Sequence, residues 1–106
     1  MEKNRLPDVA AVNQSANINY NREKFQTLLI SQKEGVKTIL FAFSSGQELK
    51  THTAPVEIVV IPVEGQALFT LEEEEFTIKP GDVLKIAAHA RHAVKATTDF
   101  KMVLIK

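Results

Sequence analysis

The sequence predicts an all-β fold in which short antiparallel strands form a sandwich or barrel. Runs of β-branched and aromatic residues recur along the chain, and each run ends at residues that favour turns. No long segment shows the period of a packed helix. The segment between Pro80 and Ala90 is also too short for a helical crossover, so parallel pairing of the strands around it is not expected.

The chain divides into an arm and one barrel domain. Residues 1–23 are rich in Asn and have no regular apolar period, so we expect an N-terminal arm of irregular structure with at most one short helix around residues 7–12. Residues 24–106 form the barrel, which is long enough for one hydrophobic core and too short for two. Apolar residues of the arm are expected to pack on the barrel or on a neighbouring subunit, and they are Leu6, Val9, Val12, Ile18 and Tyr20.

Eight strands are predicted in the barrel. The turns between them contain Gly, Pro, Asp or Ser, the residues that let a chain reverse direction. The glutamate run Glu72–Glu75 lies between two strands and is interpreted as a solvated hairpin tip. The predicted strands are Phe25–Ser31, Val36–Phe43, Glu57–Val63, Ala67–Leu71, Glu75–Ile78, Val83–Ile86, His92–Ala96 and Phe100–Ile105.

The alternation of side chains along the strands assigns one face to the interior. This inward set is His52, Ala54, Ile58, Val60, Pro62, Phe76, Ile78, Leu84, Ile86, His92 and Val94. Two stretches, Val36–Phe43 and Ile58–Ile61, are apolar on both faces. A strand of this kind is covered on both sides, so we expect the arm or a partner subunit to cover the outer face, and we expect a homodimer.

Composition and charge exclude several classes of function. The chain of 106 residues carries 13 basic and 13 acidic residues, so its formal net charge is zero. This balance argues against a surface for nucleic acid or for a membrane. The absence of cysteine excludes disulfides and zinc sites built on thiolates. The N-terminus lacks the apolar run of a secretory signal and no stretch has membrane-spanning length, so a cytoplasmic location is expected.

Two separated segments carry the most specific pattern in the chain. In the first, Gly46 is followed after five residues by His52, and a strand then leads to Glu64-Gly65. In the second, Pro80-Gly81-Asp82 opens a strand that is followed, after a short loop, by His92. The two segments and the spacing between them resemble the paired motifs of the cupin superfamily. This resemblance implies a cupin-type jelly roll, a double-stranded β-helix barrel.

The resemblance also implies a metal centre, and this chain lacks part of the ligand set. Ala54 stands where the family has its second histidine, and Ile58 stands where it has its glutamate. Glu57 lies one residue earlier, and an offset of one residue on a strand turns a side chain to the opposite face. The candidate metal ligands are His52 and His92, with His89 or Glu57 as a third.

Three functional hypotheses follow. The first is a non-catalytic or weakly catalytic small-molecule-binding barrel with no complete metal site and no resident cofactor. One neutral ring of the histidine pair could then act as acid or base toward the ligand without a metal. The alternative is a metal-dependent cupin enzyme of the dioxygenase or isomerase type that uses Fe, Mn, Ni or Zn. The third is a structural or regulatory module, and the lack of a recognisable DNA-binding segment argues against it. The residues expected to line the ligand pocket are His52, Ala54, Ile58, Val60, Phe76, Leu84, Ile86 and His92.

Overall fold

The computed structural model describes residues 18–106 and confirms the all-β prediction. This part of the chain contains nine strands and no helix, so it has no helical segment that could cross a membrane. Most of the predicted arm, including the expected helix, lies outside the described residues. The strands are β1 (Gln26–Lys33), β2 (Val36–Phe43), β3 (Glu48–His52), β4 (Ile58–Glu64), β5 (Ala67–Leu71), β6 (Glu74–Ile78), β7 (Leu84–Ile86), β8 (His92–Ala96) and β9 (Phe100–Ile105).

The strands form two antiparallel sheets that face each other. The five-stranded sheet has the order β1-β2-β9-β4-β7, and the four-stranded sheet has the order β3-β8-β5-β6. Apart from the β1–β2 and β5–β6 hairpins, paired strands are distant in the sequence, as a jelly roll requires. The predicted jelly roll is therefore confirmed.

All eight predicted strands are present, but β3 was not predicted. Four of its five residues are exposed, and only Leu49 is partly buried. Such a strand lacks the run of β-branched and aromatic residues that marks the others. Its position matters because it forms the edge of the four-stranded sheet and ends at His52.

The main hydrophobic core lies between the two sheets. Phe43 and Phe100, on the paired strands β2 and β9, are fully buried there, and Phe25 and Phe41 extend the aromatic cluster with ring centroids 5.0–6.2 Å apart. Burying one phenylalanine side chain stabilises a fold by roughly 1.5–3 kcal/mol. The buried core residues are Phe43, Ile58, Val60, Ala67, Phe69, Ile78, Ile86, Val94, Ala96, Phe100, Met102 and Leu104.

A second apolar cluster lies on the outer face of the five-stranded sheet. Ile18, from the end of the predicted arm, packs there with Leu28, Leu40 and Ala42, and Tyr20 lies against the same cluster. The strands that are apolar on both faces are thus covered on the outside at this position by the chain itself. The homodimer remains a prediction.

Lys101 is buried on this outer face, with only 2% of its surface exposed. Its Nζ atom lies 3.9 Å from Oε2 of Glu64 and 4.9 Å from the centre of the Tyr20 ring. The hydroxyl of Tyr20 donates a hydrogen bond to the same Glu64 oxygen. Burial of Tyr20 and its contact with the Glu64 carboxylate raise the pKa of the phenol. These three side chains fix the N-terminal segment to the sheet through one buried charge and its two partners.

Gly65, in the turn between β4 and β5, lies against the turn between β8 and β9. Its φ angle of 76° lies in the left-handed region, and a Cβ atom at this position would collide with the carbonyl oxygen of Asp99. Gly35 has a similar φ angle of 82°, but a Cβ atom there would meet nothing within 4 Å. Both glycines thus have a positive φ angle that other residues rarely adopt, and Gly65 also lacks the space for a side chain.

We expect Gly65→Ala to lower the free energy of unfolding by about 3 kcal/mol or more, because backbone strain and overpacking add. Gly35→Ala is the matched control and should lose about 1 kcal/mol from backbone strain alone. Urea unfolding of both variants measures the difference. Equal losses in the two variants would show that the turn at Asp99 moves aside without cost.

Candidate functional site

The two histidines expected to form the site lie side by side at one end of the four-stranded sheet. His52 is the last residue of β3 and His92 is the first residue of β8, and the two are direct cross-strand partners. Their ring centroids are 4.2 Å apart, with an angle of 60° between the ring planes. His92 is 5% exposed, whereas His52 is exposed to solvent. The pair thus lies at the end of the sheet, where the barrel covers His92 and the edge strand leaves His52 open to solvent.

Backbone carbonyl groups orient both rings in the same way. Nδ1 of His52 is 2.7 Å from the carbonyl oxygen of Lys50, and Nδ1 of His92 is 2.9 Å from that of Ala90. A carbonyl oxygen can only accept, so each Nδ1 carries the proton and donates it. In the neutral rings, each Nε2 therefore keeps a lone pair that is available to a ligand.

The surroundings of His92 favour its neutral form. Burial lowers the pKa of His92; the hydrogen bond to the Ala90 carbonyl opposes this shift, and the nearby His52 adds to it. The ring also lies parallel to Phe69, with a centroid distance of 6.3 Å. The arrangement presents one buried neutral imidazole beside one solvated imidazole, which suits a ligand that donates hydrogen bonds.

The apolar residues predicted to line the pocket fall into two groups. Ile58, Val60 and Ile86 are fully buried in the main core. Ala54, Phe76 and Leu84 are partly buried and pack against that core. Phe76 and Leu84 also line a cavity of about 460 Å³ at the open edge between β6 and β7, where the wall continues through the turn from Lys79 to Val83. This cavity is not lined by either histidine.

The two candidates for a third metal ligand do not join the pair. Oε2 of Glu57 lies 3.7 Å from Nζ of Lys85, an exposed pairing on the outer side of the barrel. His89 is exposed, and its backbone N–H donates to the carbonyl oxygen of Ala54 at 2.7 Å. Within residues 18–106, no group of three or more His, Asp or Glu side chains is placed to hold a metal ion. Structural and catalytic metal sites use roughly three or four protein ligands, so the residues present do not fit a complete metal centre.

An ion pair beside the histidines was not predicted from the sequence. Glu72, at the hairpin tip after β5, accepts hydrogen bonds from the backbone N–H and the Nε–H of Arg91, each at 3.1 Å. These contacts, the backbone one foremost, lower the pKa of the Glu72 carboxyl. Arg91 immediately precedes His92, so the pair ties the start of β8 to the end of β5. The sequence indicated a solvated run of glutamates, and no local signal connects Glu72 with a residue as far along the chain as Arg91.

The fold and the site define the class of protein. A small jelly-roll barrel with a histidine pair at one end is the arrangement that the two sequence motifs predicted. The cupin domain family matches residues 39–106, so the chain belongs to the cupin family. A comparison with curated proteins finds no match.

Crystal structures of three bacterial proteins are similar to this chain. A cupin superfamily protein from Desulfitobacterium hafniense is 25% identical with a TM-score of 0.86, and the match covers 98% of this chain and 94% of that one. An RmlC-like cupin protein from Desulfovibrio desulfuricans is 25% identical with a TM-score of 0.81, and the match covers 92% and 94%. A conserved protein of unknown function from Streptococcus pyogenes shares the fold at 20% identity, with a TM-score of 0.85 and coverage of 94% and 88%.

We expect the free energy of unfolding to fall as the pH drops below about 6.5, the ordinary pKa of histidine. The pKa of His92 is lowered in the folded protein, so the unfolded chain binds this proton first. Acid then favours unfolding until the pH reaches the lower pKa of the folded state. Urea unfolding across this range measures the slope, which His92→Phe should flatten because Phe cannot titrate.

His89→Asn is the matched control for this measurement. It removes an exposed histidine, and Asn tolerates the φ angle of 69° that His89 adopts. This variant should keep the pH slope of the wild-type protein. An unchanged slope in His92→Phe would show that His92 does not contribute to the acid sensitivity.

Proposed function

We propose that this cupin binds a small molecule at the His52–His92 pair without a complete protein-bound metal centre. One observation supports this more than any other: both rings donate through Nδ1 to backbone carbonyls, so in neighbouring rings with centroids 4.2 Å apart each Nε2 is the acceptor nitrogen. Groups that complement two acceptors are hydroxyl, amide and ammonium donors. The ligand class is therefore a small molecule with hydrogen-bond donors and an apolar portion that faces the core.

The lowered pKa of His92 adds a chemical capacity to this binding site. A neutral imidazole with a free Nε2 can accept a proton from a bound hydroxyl group. His52, which is exposed, can exchange that proton with solvent. The pair thus supports general-base chemistry on a bound ligand and requires no metal for it.

A metal-dependent enzyme is the alternative, and one observation favours it. Histidine ligands of metals commonly donate their second ring nitrogen to a carbonyl or a carboxylate, as both rings do here. Fe, Mn, Ni or Zn would meet two imidazoles and would need water or the ligand itself for the remaining positions.

A homodimer and a cytoplasmic location also remain proposals.

A thermal-shift screen tests the binding proposal. A compound that prefers the folded state raises the melting temperature, and we expect polyols, hydroxy acids or amides to do so in wild-type protein. His52→Phe and His92→Phe should remove the shift, and His89→Asn should keep it. Metal analysis of the untagged wild-type protein separates the alternative: stoichiometric metal that is lost in His92→Phe would contradict the proposal and support the enzyme.

We expect Ala54→His to increase the affinity for Ni²⁺ or Zn²⁺, and Ala54→His combined with Ile58→Glu to increase it further. The two substitutions supply ligands that the family has at these positions and this chain lacks. Calorimetric titration measures the affinity, with circular dichroism as a check of folding because Ile58 is buried. A folded double variant with unchanged affinity would show that positions 54 and 58 do not face the histidine pair.

A further inference from the structure

A second cavity lies at the opposite end of β8 from the histidine pair. His92 is the first residue of β8, and the turn that follows Ala96, the last residue, forms part of the cavity. The cavity has a volume of about 340 Å³ and is lined by Tyr20, Arg22, Ser44, Ser45 and Asp99. It lies where the N-terminal segment meets the turns after β2 and β8. A volume of this size accommodates a small metabolite.

Hydrogen bonds across three chain segments fix the wall of this cavity. The backbone N–H of Ser45 donates to Oδ1 of Asp99 at 2.9 Å, and the Ser45 hydroxyl donates to the carbonyl oxygen of Thr97 at 3.2 Å. The Gln47 amide donates to the carbonyl oxygen of Asn21 at 2.7 Å. These bonds between side chains and backbone groups join the N-terminal segment to the turns after β2 and β8 around the cavity.

Three residues that line the cavity keep hydrogen-bonding or ion-pairing capacity that residues 18–106 do not use. Ser44 is 8% exposed, and its hydroxyl makes no hydrogen bond to this part of the chain. Arg22 and Asp99 are exposed to solvent; the guanidinium group makes no ion pair or hydrogen bond within residues 18–106, and the Asp99 carboxylate accepts one hydrogen bond there, through Oδ1. Arg22 and Asp99 carry opposite charges and line one cavity, yet they are not paired with each other in the described part of the chain.

We propose that this cavity binds a small amino acid whose carboxylate pairs with Arg22 and whose ammonium group pairs with Asp99. A guanidinium group presents a planar fork that matches a carboxylate. A simple anion would be repelled by Asp99, and a simple cation would be repelled by Arg22, so a zwitterion satisfies both charges.

Titration of ¹⁵N-labelled protein with alanine, propionate and ethylamine tests the proposal. Propionate lacks the ammonium group of alanine, and ethylamine lacks its carboxylate. We expect alanine to shift the amide signals of Ser45, Gly46 and Asp99 in a saturable way. Propionate and ethylamine should bind about tenfold or more weakly, because each loses one charge-assisted contact. Equal binding of all three compounds, or no saturable shift with alanine, glycine or serine, would overturn the proposal.

Two variants locate the binding. Arg22→Gln should abolish the saturable shifts, and Lys33→Gln, an exposed lysine of the hairpin between β1 and β2, should keep them. Shifts that survive in Arg22→Gln would show that the cavity is not the site. The amides of Ala90 and His92 report on the histidine pair at the other end of β8, so failure of either proposal is observed separately.

Discussion

The turn from Thr97 to Asp99 carries the chain from the four-stranded sheet to the five-stranded sheet, and hydrogen bonds to the turn between β4 and β5 hold it in place. It connects β8, which lies between β3 and β5, to β9, which lies between β2 and β4. The backbone N–H of Thr97 donates to the carbonyl oxygen of Gln66, and the N–H of Gln66 donates to Oγ1 of Thr98. This short connection joins a central strand of each sheet. Because Gly65 has no side chain, the turn between β4 and β5 can approach Asp99 closely.

The position of β8 in the four-stranded sheet also determines the surroundings of the histidine pair. Because β8 is central in its sheet, its first residue, His92, faces both the edge strand β3 and the core residue Phe69. The edge strand leaves His52 in solvent, while the sheet interior buries His92. Two identical side chains therefore experience different surroundings at a distance of 4.2 Å. That difference, more than the number of histidines, gives the pair its chemical interest.

Much of the fold was predictable from the sequence, since strands that are apolar on one or both faces leave a local pattern. Strand β2 carries such a pattern over its whole length, and the structure confirms it residue for residue. Strand β3 does not, because an edge strand with one partly buried residue has no periodic signal. The approach of His52 to His92 was predictable only through the resemblance to a family. The burial of Lys101 and the Glu72–Arg91 pair were not predictable, because each depends on residues brought together by tertiary contacts.

The buried lysine on the outer sheet face has a consequence for how this surface behaves when uncovered. Tyr20 shields an ammonium group that lies among aliphatic side chains. Without Tyr20, this surface would carry a formal charge and would not be purely apolar. Glu64 lies beside Lys101 on the same sheet, and desolvating this pair against an unrelated protein is unfavourable unless an aromatic ring replaces Tyr20. The buried charge therefore disfavours non-specific association of this sheet face with other proteins.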